Sequence, residues 1–155
     1  MRIVLLAAIA VALTACISTL DTPPSNPAGL INQRVAVMKG FAGALGAAGA
    51  FAQGKGTEAA AHTKLAAAYA NTAKLAELFP RGTAMGDRGA STSRALSTIF
   101  TNRSDFDAKI EATARALGAL DALVQRGAKG EVARTLESAK ATCGSCHSKY
   151  RAADE

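Results

Sequence analysis

Near the C-terminus, Val132, Leu136, Ala139, Cys143, Cys146 and Tyr150 follow one another at intervals of four, three, four, three and four residues. That alternation puts all six on one stripe of an α-helix, so both cysteines are expected on a buried face and whatever they hold is expected inside the fold. His147 follows Cys143 by four residues, one turn along and on nearly the same face. The string Cys143-Gly144-Ser145-Cys146-His147 is C-x-x-C-H, the c-type haem attachment signature. Each thiol adds to one haem vinyl group, and the imidazole is held at iron as the proximal ligand. Two other uses of such a cysteine pair fit less well. A zinc site needs more ligands than Cys16, Cys143, Cys146, His62 and His147 supply near one another, and a redox dithiol expects a βαβ setting. One haem c per chain is therefore the expected cofactor.

The rest of the chain offers that helix only further helices to pack on. Alanine dominates, β-branched runs are absent, and four segments with apolar spacings of three and four emerge from about 125 residues, enough for one domain over 30–155. The first runs from Leu30 to Gln53 with Ile31, Arg34, Met38, Phe41, Leu45, Ala48 and Ala52 on its stripe. The second, Thr57 to Phe79, opens on Thr57 as cap and stops before Pro80. The third begins at Ser104, with Asp107 completing a capping-box-like start, and Gly127 and Gly130 bracket the turn into the fourth, Lys129 to Ala152. Short connections between these segments predict an all-α, antiparallel four-helix bundle. The stretch from Pro80 to Arg103 is longer than bundle turns usually are and is expected to fold over one open edge, with a helical turn near Arg94 to Phe100.

At the other end of the chain Arg2, the apolar run Ile3 to Leu13 and the small residues after it have the layout of an export signal, too short to span a bilayer. Leu13-Thr14-Ala15-Cys16 resembles a bacterial lipobox, which makes residues 1–15 a lipoprotein signal and Cys16 a lipidated first residue; a competing ordinary cut falls after Ala12. Residues 16–29, with Pro23, Pro24, Pro27 and Gly29, read as a flexible tether. A periplasmic protein held at the membrane by Cys16 is the expectation. Removing Arg2 with the signal leaves 17 basic and 12 acidic residues, net +5, a balance that suits acidic redox partners or anionic lipid. Nucleic acid is not expected, because aromatics are scarce and the basic residues are spread out.

A haem motif at the end of an all-helical chain of this size resembles the class II c-type cytochromes, the cytochrome c-prime and c-556 group. The match covers about 30–152. It includes Arg34, Met38 and Lys39, the run Leu78-Phe79-Pro80-Arg81-Gly82-Thr83, then Ile99-Phe100, Asp105-Phe106 and Tyr150-Arg151. The resemblance implies haem between the helices of a bundle that is often a homodimer. It also puts Met38 at the distal position, where the c-556 branch ligates iron and the c-prime branch packs an apolar side chain. A thioether there gives low-spin iron suited to one-electron transfer; an open position gives five-coordinate iron able to bind nitric oxide or carbon monoxide. Arg34 is implied to pair with a haem propionate, its alternative being a side chain snorkelling to solvent. Arg151 matches a basic residue on the proximal side, its alternative being a frayed terminal charge. His62 is expected at a helix edge, and Met85, in the loop, to cover an edge of the core with a reserve role as ligand. Gly40, Gly43, Gly46 and Gly49 form a ridge for close approach, either of the second helix or of another subunit. No paired carboxylates and no nucleophile with an adjacent base are evident, so an enzyme is not expected.

Overall fold

Helix α1 (Pro27–Ala52) starts three residues before the expected Leu30, and the reason lies in its cap. The Asn26 side chain accepts the Gly29 N–H at 2.8 Å, and Pro27 occupies the first turn, where its missing N–H costs nothing. Residues 27–29, assigned above to the tether, are therefore helical. The computed structural model describes residues 24–153; the signal over 1–15, the alternative cut after Ala12 and the lipidation site Cys16 lie outside the described residues.

Three long helices complete the bundle. Helix α2 (Glu58–Leu75) begins as expected, with Thr57 Oγ1 accepting the Ala60 N–H at 3.2 Å, and tightens into a 3₁₀ turn over Ala76–Leu78 before Pro80. After the short α3 (Thr98–Thr101) come α4 (Arg103–Gln125) and α5 (Lys129–Tyr150). The capping box expected at Ser104 does not form, since the helix already starts at Arg103. Asp107 instead accepts from Arg103 Nε at 2.9 and 3.1 Å, while Arg103 Nη2 donates to the Ala76 carbonyl at 3.0 Å. One guanidinium thus joins the start of α4 to the 3₁₀ turn that follows α2, where the Ala76 carbonyl also accepts the Phe79 N–H at 3.3 Å.

Two tight turns reverse the chain. At Gly54 and Gly127, with φ of 73° and 67°, the N–H groups close onto Phe51 and Val124, and the following N–H of Lys55 and Ala128 close onto Ala50 and Leu123. Both are Schellman ends, and the left-handed residue in each is the glycine that tolerates it. The helices follow the cyclic order α1, α2, α4, α5, each packed on two neighbours, in the antiparallel bundle the spacing predicts. Ala44, Ala48, Leu65, Leu117, Leu120, Val124 and Val132 fill its centre.

The glycine ridge does not serve α2. A methyl group built on Gly40, Gly43 or Gly46 would meet nothing within 4 Å, and one on Gly49 would meet Leu136 of α5 at 3.3 Å. The alternative of close packing on the second helix is thereby excluded.

The chain between α2 and α4 is held by partners distant in sequence. Arg94 to Leu96 are extended against the end of the chain: Leu96 N–H donates to Tyr150 at 2.9 Å and Ala152 N–H to Arg94 at 2.8 Å, with Ala95 bridged to Arg151. The helical turn expected from Arg94 therefore begins only at Thr98.

Candidate functional site

Two cavities open between α1 and α5, of about 410 and 170 Å³, and both are bounded by Met38, Ala42, Cys146 and His147. The larger lies toward α3 and the loop, with Ile31, Val35, Phe79, Ile99, Phe106 and Tyr150 as its apolar wall. The smaller lies toward α4, and Phe41, Leu45, Leu75, Ile110 and Cys143 line it.

The inward stripe of α5 explains why the helices stand apart here. Val132, Leu136 and Ala139 are buried against neighbouring helices, but Cys143, Cys146 and His147 are only half-buried because they face the cavities. The expectation that the thiols lie on a buried face is corrected to that extent: the stripe holds, but at Cys143 and Cys146 it meets a cavity, and only at Tyr150 does it return to packed side chains. Both thiols are free. Burial raises the affinity of Cys146 for its proton, with Lys109 opposing, and burial first and then the Arg151 charge lower that of His147.

Met38 is half-buried on α1, across the shared boundary from Cys146 and His147. Met85 is 53% exposed and lines neither cavity, so its expected role over the core, and with it the reserve ligand, is removed. His62 lies toward the N-terminal end of α2, 2.7 Å from Asp121 Oδ1 on α4, at the bundle end away from the cavities.

Arg34 does not reach solvent. It is 4% exposed and lies 4.7 Å above the Phe79 ring. Its Nη2 donates to Thr83 O at 2.8 Å and Ser93 Oγ at 2.6 Å, its Nη1 to Thr83 Oγ1 at 3.0 Å and, weakly, to Leu78 O at 3.5 Å. The snorkelling alternative is excluded, and four of the five guanidinium hydrogens are engaged by the 78–93 segment. Burial lowers its pKa. This latch was not read from the sequence. Arg34 was visible on an apolar stripe, but Thr83 and Ser93 are two hydroxyls in a loop whose path only the folded chain reveals. Arg151 is not frayed: its N–H donates to His147 O at 3.0 Å, and its side chain lines the larger cavity.

An aromatic column backs this wall. Phe79 meets Phe106 edge-on at 5.0 Å and Phe106 meets Tyr150 at 5.3 Å, while the Tyr150 hydroxyl donates to Asp105 Oδ2 at 2.6 Å. The column ties the last turn of α5, which carries His147, to the start of α4.

The linings suit a flat, apolar macrocycle with acidic edges. The walls are apolar on both sides, the larger cavity alone is within the range of cofactor sites, and among the described residues the charged side chains lining them are Arg34, Lys39, Arg94, Lys109 and Arg151, with no aspartate or glutamate. Among the described residues no cluster of three histidine, cysteine or acidic side chains exists.

Comparison with known proteins agrees with this geometry. The sequence model of the family described as Cytochrome C' matches residues 29–151. A cytochrome c-556 from Agrobacterium tumefaciens (strain B2A) is 33% identical over 129 residues, covering 80% of this chain and 98% of that protein. Among solved structures, the cytochrome c' from Rhodobacter spheriodes superposes with a TM-score of 0.72 at 25% identity, covering 84% of this chain and all of that one. A structure of oxidized R. palustris cytochrome c556 gives a TM-score of 0.60 at 26% identity over 81% of this chain and 98% of that one.

Proposed function

Because the chain belongs to the cytochrome c' family and is a monohaem c-type cytochrome, we propose that it works as a one-electron carrier of the periplasm, tethered to the membrane through Cys16. Haem, when bound, supplies a ferric–ferrous couple whose potential is set by its axial ligands and surroundings. Cys143 and Cys146 would hold it by two thioethers, each thiol hydrogen passing to a vinyl carbon as the sulfur–carbon bond forms. His147 on α5 and Met38 on α1 would hold its iron. The Tyr150–Asp105 contact keeps the His147 turn in place. Arg34 and Arg151, which line the larger cavity, would supply positive charge for the propionates.

The observation that carries the carrier reading is Met38. Met38 and His147 both line the two cavities, so α1 brings a soft ligand to the space that the imidazole borders. The optical spectrum of the ferrous protein, with and without carbon monoxide, tests it. Six-coordinate, low-spin iron that resists carbon monoxide is expected, with Met38→Ala converting it to a high-spin form that binds the gas. A low-spin spectrum unchanged by Met38→Ala would remove Met38 as ligand. Ready carbon monoxide binding by the unaltered protein would favour the second reading, a five-coordinate site for nitric oxide or carbon monoxide, which the apolar wall of Ile31, Val35 and Ile99 also suits. The anchor has a separate test: Cys16→Ser is expected to release the protein from the membrane fraction, and continued retention would overturn it.

A further inference from the structure

Resting on the carrier reading, we propose that Lys109 of α4 tunes the redox centre: its positive charge in the wall of the smaller cavity favours the ferrous state and so raises the reduction potential. Among the described residues Lys109 is the one formally charged side chain lining this cavity, which it shares with Cys143, Cys146 and His147. Helices α1 and α2 bring no charge to it, only side chains such as Met38, Phe41 and Leu75. The one hydroxyl in the wall is turned to the backbone of its own helix, since Thr113 Oγ1 donates to the Lys109 carbonyl at 3.0 Å. Nothing polar in the wall therefore shields the centre from the lysine.

No carboxylate of the described residues pairs with Lys109. Asp105, one turn earlier on the same helix, accepts from the Tyr150 hydroxyl at 2.6 Å and from Lys149 Nζ at 3.0 Å, and Lys109 is the least of the influences that lower its pKa. The charge is felt instead on α5. Burial raises the affinity of the Cys146 thiol for its proton, and Lys109 is the foremost charge acting on that thiol. Lys109 is half-buried, so water screens it only in part. Ferric iron carries one more positive charge than ferrous, and a fixed cation in an apolar wall therefore disfavours the oxidised state. The larger cavity differs, because Arg34 and Arg151 there would meet the propionates, whose charge offsets theirs. Cys143 and Cys146, once joined as thioethers, carry no charge to set against Lys109.

Equilibrium redox titration of the holoprotein tests it with Lys109→Met, Lys109→Glu and Lys109→Arg. One electron passes from a reduced mediator to the ferric iron, and no bond is made or broken. Lys109→Met is expected to shift the equilibrium about threefold toward the ferric form, roughly 30 mV, and Lys109→Glu, which changes the charge twice as much, about tenfold, roughly 60 mV, at about 59 mV per tenfold for one electron. Lys109→Arg keeps the charge and is expected to stay within about 1.5-fold of the unaltered protein, as is Lys55→Glu beyond the far end of α1. A response graded by charge is one that a purely structural role would not produce. Equal shifts for Lys109→Met and Lys109→Arg, or a shift below about 1.5-fold for Lys109→Glu, would overturn the tuning role. Should Lys109→Met fail to fold, Lys109→Glu against Lys109→Arg decides the matter. That failure is distinct from failure of the carrier reading, which shows as carbon monoxide binding to the unaltered ferrous protein.

Discussion

Replacing Arg34 by methionine removes the guanidinium while keeping an unbranched side chain of similar reach. Three of its hydrogen bonds are short, at 2.6, 2.8 and 3.0 Å, and charged donors contribute about 1.5–3 kcal/mol each, so their simple sum is roughly 5–9 kcal/mol. Two effects reduce it. The desolvation of a buried cation, several kcal/mol, is relieved when the charge goes. The acceptors are also not orphaned: Thr83 Oγ1 still donates to Pro80 O at 2.8 Å, and Ser93 Oγ to Thr83 O at 2.7 Å. The expected loss is about 2–3 kcal/mol, including the contact with Phe79, or roughly 10 °C in Tm for a domain of this size. It should be felt locally as well, since Arg34 is what pins residues 83 and 93 to α1. Urea unfolding of the holoprotein measures the loss, and limited proteolysis between Pro80 and Ser97 measures loop opening. Unfolding within about 0.5 kcal/mol of the unaltered protein, with no faster cleavage, would refute the latch.

Three further outcomes follow from other contacts. The Tyr150 hydroxyl first, and then Lys149, hold the Asp105 carboxyl below the usual carboxylate range; a depressed folded pKa stabilises above the unfolded value near 3.9 and is lost as pH falls through the folded one. Thermal melts of Asp105→Asn should accordingly show a weaker acid dependence below about pH 4 than the unaltered protein, and parallel profiles would contradict the contact. Gly43→Ala should raise stability by about 0.5–1 kcal/mol in chemical denaturation, because the new methyl meets nothing within 4 Å; a loss would mean that another chain packs on this face of α1. Gly127→Ala should cost about 1–2 kcal/mol, because φ there is +67°, and an unchanged midpoint would contradict the Schellman turn.

Much of the bundle was legible in the order of residues because helix formation and amphipathic spacing are local. The stripe on α5, the Thr57 cap and the stop before Pro80 each depend on neighbours a few residues away. Where the expectations missed, a local signal had two readings. Pro27 and Gly29 oppose a helix interior but suit a first turn once Asn26 caps it, and Ser104 looks like a cap until Arg103 has already begun the helix.

By itself, then, the sequence determined the haem motif, the helical period and the face that carries the thiols, all properties of chain segments a few turns long. The tertiary structure alone decided what that face meets. It turned Cys143, Cys146 and His147 toward two cavities, set Met38 across from them, exposed Met85, and gave Arg34 its partners 49 and 59 residues away. Contacts at that separation depend on how four helices and a loop close on one another, and no spacing within a single segment encodes them.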